Sequence, residues 1–170
     1  VFSITNPGTV IHTAAMTQVD DCEKDMEGCR ILNVEAVRYL IEACENNNTH
    51  LIHLSTDFIF DGADGPYTEE AKANPVNYYG VTKMEAENLL VQSKIPWAIV
   101  RTVLVYGIAE DMSRSNIILW VKKSLEEGKN IKVVNDQWRT PTLAEDLAEG
   151  CILIMKKGAT GIFNISGSDF

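Results

Sequence analysis

Four short runs of apolar and β-branched residues, each separated from the next by a stretch of helical period, limit what this chain can fold into. "TVIHTAA" (9–15) follows the turn signal Asn6-Pro7-Gly8, and "HLIHLS" (50–55), "WAIVR" (97–101) and "GIFNIS" (161–166) recur along the chain. Each reads as a buried strand. Between the first two, residues 30–47 carry Val37, Leu40, Ile41 and Cys44 at i, i+3, i+4 and i+7, the apolar face of a helix. A loop with Gly62, Gly65, Pro66 and Pro75 leads to a second helix through Tyr79 and Lys83 to about Ser93, and residues 115–127 form a third. "IKVV" (131–134) reads as a further short strand. Thr142 and Glu145 have capping-box spacing and open a helix to about Lys157, which Gly158 stops. Strands alternating with helices require crossover connections. The expected fold is α/β, a Rossmann-like parallel sheet with helices on both faces.

In such sheets ligands sit beyond the carboxyl ends of the strands. Those ends carry Thr13-Ala14-Ala15, Ser55-Thr56-Asp57 and Arg101-Thr102, and the helix opened by "NYYGVTK" (77–83) should begin beside them. Tyr79 and Lys83 are four apart and share a helix face, whereas Tyr78, five from Lys83, is turned away. A phenol titrating near about 10 is a poor acid or base at neutral pH. An ammonium one turn away stabilises the phenolate and lowers that value. Tyr79 could then exchange a proton with a sugar hydroxyl or carbonyl, while the Thr56 hydroxyl holds the oxygen on which charge develops. Such a triad suits carbonyl reduction with hydride from a nicotinamide.

Composition narrows the classes. With 170 residues, 45% of them hydrophobic, the chain is one domain's worth of sequence with a sizeable core. A net charge of −9 argues against a nucleic-acid or anionic-membrane surface. The segment from Ile95 to Ile108 is broken by Pro96, Arg101 and Gly107, so no apolar run reaches spanning length. No stretch reads as a secretory signal. Cys22, Cys29, Cys44 and Cys151 lack C-x-x-C pairing and the three histidines are scattered. Reduced thiols in a cytoplasmic protein are expected, with no metal site and with His12 and His53 as core or strand-end residues.

The motifs "STDFIFDG" (55–62), "PY" (66–67) and "NPVNYYGVTKMEAE" (74–87) resemble the extended short-chain dehydrogenase/reductases, above all the dTDP-4-dehydrorhamnose reductase branch. "TAAMTQVDDCE" (13–23), "RTVLVYG" (101–107) and "VVNDQWRTPTLAEDLA" (133–148) continue the resemblance in order over nearly the whole chain. It implies Thr56, Tyr79 and Lys83 as the catalytic triad, with Lys83 also on the nicotinamide ribose. It implies that Ala14 and Ala15 pass their backbone along an NADP or NAD cofactor, which Tyr79 and Lys83 also hold. Thr17 and Val19 would border the cofactor and a dTDP- or UDP-linked sugar nucleotide. Asp57 would hydrogen-bond the sugar and Arg139 a phosphate. Leu104 stands where these reductases commonly carry an indole over the sugar, and Phe58 replaces their usual tyrosine. A homodimer is compatible with this family.

The resemblance implies NAD(P)H-dependent reduction of a 4-keto sugar nucleotide. A 4-epimerase uses the same tyrosine with tightly held NAD. A 4,6-dehydratase is disfavoured, because Phe58 cannot protonate a leaving hydroxyl. A non-catalytic reading also stands, after the similar regulatory β subunit of methionine adenosyltransferase. No G-x-x-G-x-x-G follows a strand and opens a helix, and the Gly158–Gly161 pair lies between a helix and a strand, the reverse context. Residues 1–170 are therefore expected to be the catalytic part of an NAD(P)-binding Rossmann-like domain, with part of the sugar-nucleotide region. The first strand–helix units and the C-terminal end would be lacking.

Overall fold

In the computed structural model, which describes residues 2–108 and 117–168, the strands are β1 (Thr9–His12), β2 (His50–Thr56), β3 (Trp97–Thr102), β4 (Val105–Tyr106), β5 (Thr142–Leu143) and β6 (Gly161–Asn164). The helices are α1 (Phe2–Thr5), α2 (Val19–Lys24), α3 (Met26–Arg30), α4 (Ala36–Asn47), α5 (Tyr78–Gln92), α6 (Ile117–Glu126) and α7 (Ala144–Lys157). β1, β2, β3 and β6 form one parallel sheet in that order, and β4 pairs with β5 in a small parallel ribbon. This is the Rossmann-like α/β architecture expected from the alternation.

Strand periodicity sorts the sheet into two faces. Leu51 and Ile99 point one way and pack with Val37, Ile41 and Cys44 of α4 and Ala86 and Leu90 of α5. Ile52, Ala98 and Val100 point the other way, against Leu147, Cys151 and Ile154 of α7. The same alternation turns His53 and Arg101 toward α5. There Lys83 meets His53, and Glu87 forms a bidentate ion pair with Arg101 at 2.7 and 3.1 Å, both side chains buried. All four cysteines are buried and free of disulfides. Among the described residues no helix is long and apolar enough to cross a membrane.

Several elements differ from expectation. β1 stops at His12, so residues 13–15 leave the sheet as a loop. The helix expected at 30–47 begins earlier, at Met26, and runs through a π-helical turn at Ile31–Glu35. The "IKVV" segment forms no strand, and Val133 and Val134 are more than half exposed. The capping box is absent as well. Thr142 lies buried in β5, where its hydroxyl donates to the Val103 carbonyl at 2.8 Å and accepts from Thr102, and α7 starts after Leu143 with no side-chain cap. Pairing with β4 outcompeted the local cap. "GIFNIS" is strand only to Asn164, although the Ile165 N–H still reaches the Arg101 carbonyl at 2.8 Å. Residues 115 and 116 of the third expected helix lie outside the described residues.

Candidate active site

The site is built where β2 runs out. Thr56, in extended conformation, caps a 3₁₀ turn at Asp57–Ile59: its hydroxyl accepts from the Phe58 N–H and donates to Asp57 Oδ1, both at 3.2 Å. α5 begins directly over this turn. Asn77 caps it by accepting the Gly80 N–H at 2.8 Å, which fixes the first turn and hence the aim of Tyr79. Tyr79 is 8% exposed and meets the Phe58 ring edge-on, centroids 5.7 Å apart.

Gly80 explains how the helix comes so close. A Cβ there would lie 2.2 Å from the Phe58 carbonyl oxygen and 2.9 Å from Pro75 Cβ, with backbone on one side and a ring on the other. Gly80→Ala is therefore expected to destabilise the fold by about 1–3 kcal/mol, the usual cost of overpacking, and to push Tyr79 away from Thr56. Urea unfolding and turnover of the intact protein should both register it. An alanine variant unchanged in both would mean that the turn yields freely.

The electrostatics differ from the simple pairing of phenol and ammonium. Burial pushes the Tyr79 phenol up to about 12, against the hydrogen bond with Thr56 and with smaller contributions from Asp57 and the two cysteines. Lys83, 2% exposed, is held down to about 8 by burial, with Glu87 opposing. Its Nζ donates to the Leu54 carbonyl at 2.7 Å and lies 3.1 Å from His53 Nε2. The expected lowering of the tyrosine by Lys83 is thus corrected: burial raises the phenol, and the ammonium is turned toward β2. Tyr78 is half-buried and packs against the cluster of Cys22, Cys29 and Tyr79, with its backbone N–H on Glu23 Oε1 at 2.8 Å.

The other expected residues divide into four groups. Ala14 and Thr17 are exposed and Ala15 half-buried, in the loop after β1. Val19 opens α2 and packs with Met16 and Phe58 around Cys22, Cys29 and Tyr79. Asp57 and Arg139, 82 positions apart, are brought together as an ion pair, with the guanidinium 4.9 Å over the Phe58 ring. Burial nevertheless raises the Asp57 carboxyl, with Arg139 opposing. Asp57 and Arg139 therefore face each other at the same edge as Thr56. Leu104 lies between β3 and β4 with φ at +38°, a left-handed conformation unusual for a bulky residue.

One residue escaped the sequence reading. Asn33, buried on the π turn, accepts the Met16 N–H at 2.8 Å, donates to the Met16 carbonyl at 3.0 Å and donates to Thr82 Oγ1 at 3.0 Å. It ties the loop carrying Ala14, Ala15 and Thr17 to the face of α5 that carries Tyr79. An asparagine in the middle of an otherwise helical segment was the available signal. Among the described residues no cluster of His, Cys, Asp or Glu is arranged to hold a metal.

Comparison with known proteins identifies the family of the chain. The family model described as RmlD substrate binding domain matches residues 1–169. The dTDP-4-keto-6-deoxy-D-glucose reductase of Streptomyces niveus is 33% identical over 161 residues, covering 93% of this chain and 54% of that protein. Methionine adenosyltransferase 2 subunit beta of Xenopus tropicalis is 31% identical over 168 residues, 96% of this chain and 50% of its own length. The crystal structure of dTDP-4-dehydrorhamnose reductase from Bacillus anthracis in complex with NADP superposes with a TM-score of 0.90 at 28% identity, over 97% of this chain and 58% of that one. The chain spans about half the length of the curated relatives it matches. With a family model matched over almost its full length, the chain belongs to the RmlD substrate-binding-domain family.

Proposed function

We propose that the intact protein reduces the 4-keto group of a dTDP- or UDP-linked sugar with NADPH or NADH, and that these residues supply its acid–base centre and part of its sugar-nucleotide site. The observation that carries the reading is the convergence of the Thr56 hydroxyl and the Tyr79 phenol at the carboxyl end of β2, with Lys83 on the same helix one turn on. Tyr79, a phenol held protonated by burial, is suited to donate a proton to a ketone oxygen as it gains charge. Thr56 hydrogen-bonds that oxygen, and Asp57 and Arg139 bind the sugar and a phosphate once their ion pair opens. A bound nicotinamide supplies the hydride. Lys83, Ala14, Ala15 and Thr17 are the residues of this chain that border its ribose and nicotinamide, while Val19 and Leu104 border the sugar. Buried free cysteines suit a cytoplasmic setting.

A second reading, a non-catalytic subunit, is favoured by three features. Tyr79 is raised rather than activated, Lys83 is turned onto His53 and Leu54, and several relatives are the beta subunit of methionine adenosyltransferase 2. The deciding experiment is turnover of a dTDP-4-keto-6-deoxy sugar by the full-length protein with NADPH and with NADH. Stoichiometric cofactor oxidation supports the reductase. Sugar interconversion on tightly held NAD without net oxidation indicates a 4-epimerase. Binding of cofactor with neither reaction indicates the regulatory role.

A further inference from the structure

His12 and His53 are register partners across β1 and β2, their rings stacked with centroids 5.3 Å apart and 22° between planes. Their Nδ1 atoms are 3.1 Å apart, and His53 Nε2 is 3.1 Å from Lys83 Nζ. His53 and Lys83 are 1% and 2% exposed, whereas His12 is only half-buried, at the carboxyl end of β1. A sealed ammonium therefore sits at the inner end of an unbroken line of ring nitrogens leading to the edge of the sheet.

Each contact holds one proton, and an ammonium can only donate. His53 thus accepts at Nε2, carries its own proton on Nδ1 and donates it to His12 Nδ1, which leaves the His12 proton on the outer Nε2. Both rings stay neutral: burial first, and the Lys83 charge second, hold His12 down to about 4 and His53 well below the usual range. The other groups facing Lys83 are Glu87 on α5 and Cys29 on α3, and the Glu87 carboxylate is engaged by Arg101.

We propose that His12 and His53 are the proton path of Lys83, a two-imidazole wire through which the buried amine exchanges its proton with solvent. In the outward step Lys83 passes a proton to His53 Nε2, His53 Nδ1–H passes one to His12 Nδ1, and His12 Nε2–H releases one to water. Three N–H protons leave their nitrogens and three are accepted, by two nitrogens and one water. One positive charge leaves Lys83, and both rings end neutral as the opposite tautomers. The reverse step refills Lys83 along the same contacts. Any catalytic use of this path rests on the reductase reading; the wire itself does not. His12 and His53 are positioning residues in that scheme.

The test is nitrogen-15 NMR of the full-length protein with labelled histidine and lysine, titrated through the Lys83 transition. On the acid side His53 should be protonated on Nδ1 and His12 on Nε2, and both should swap together as Lys83 loses its charge. His12→Phe keeps a ring in the stack but cuts the outer contact, and His12→Asn serves if the bulk of Phe is not tolerated. Either should slow exchange of the Lys83 Nζ protons by about 10²-fold, the scale of losing a positioned acid–base group. Tautomers fixed through the transition, or unchanged Nζ exchange in both variants, would overturn the wire. A wild-type protein that shows the swap but no turnover supports the wire and sinks only the reductase reading.

Discussion

Tyr79→Phe should lower kcat of the intact protein by about 10²-fold or more, the cost of losing a general acid, while Tyr78→Phe should leave it nearly unchanged. The contrast follows from where the two hydroxyls sit. Tyr79 is buried beside Thr56 under the first turn of α5, and phenylalanine keeps the edge contact with Phe58 while removing only the proton donor. The fold should therefore survive, so the loss should appear in kcat with cofactor binding preserved. Tyr78 is held by its backbone N–H on Glu23, which phenylalanine also provides. A phenol pushed up to about 12 is protonated at neutral pH, which favours the acid role over the base role. Steady-state kinetics of both variants decides it, with circular dichroism to verify folding; equal losses at positions 78 and 79 would remove the assignment.

What the sequence disclosed, and what it concealed, follows the range of the interactions. The i, i+4 relation of Tyr79 and Lys83 is a property of one helix, and the apolar runs of β2 and β3 report their own burial, so both were legible. Thr56 could be placed because a parallel sheet puts strand ends on one edge. The partners of Lys83 were not legible, because His53 meets it only through the face alternation of β2 under α5. The pairing of Asp57 with Arg139 spans 82 positions and depends on how the loop before β5 folds back. The capping box at Thr142 misled for the same reason: a backbone partner 39 residues earlier, the Val103 carbonyl between β3 and β4, took the hydroxyl that local spacing assigned to a helix. Asn33 shows the converse, a buried polar residue whose bonds to Met16 and Thr82 span 17 and 49 positions.

Lys83→Met should abolish turnover and also flatten one part of the stability–pH curve. The folded protein holds Lys83 near 8, whereas an unfolded lysine titrates near 10.5. Between those values the unfolded state binds more protons than the folded one, so the wild type gains stability as pH rises through that window. The depressed lysine value corresponds to about 3 kcal/mol, all of it recovered on the alkaline side. Tyr79 and Cys22, both raised to about 12 by burial, act in the opposite sense: their contribution is full below the unfolded values and lost as pH rises. Both remain in the variant, so the difference between the two proteins isolates Lys83. Methionine fills a similar volume but leaves the Leu54 carbonyl and His53 Nε2 without their donor, a cost that offsets part of the relief of charge burial at neutral pH. The offset of the two curves at pH 7 is therefore less diagnostic than their divergence. Urea unfolding of both proteins at several values between pH 7 and 10.5 should show the wild type gaining on the variant with each step. Parallel curves would mean that Lys83 carries an ordinary charge, and that the sealed ammonium on which both the acid–base centre and its proton path depend is not there.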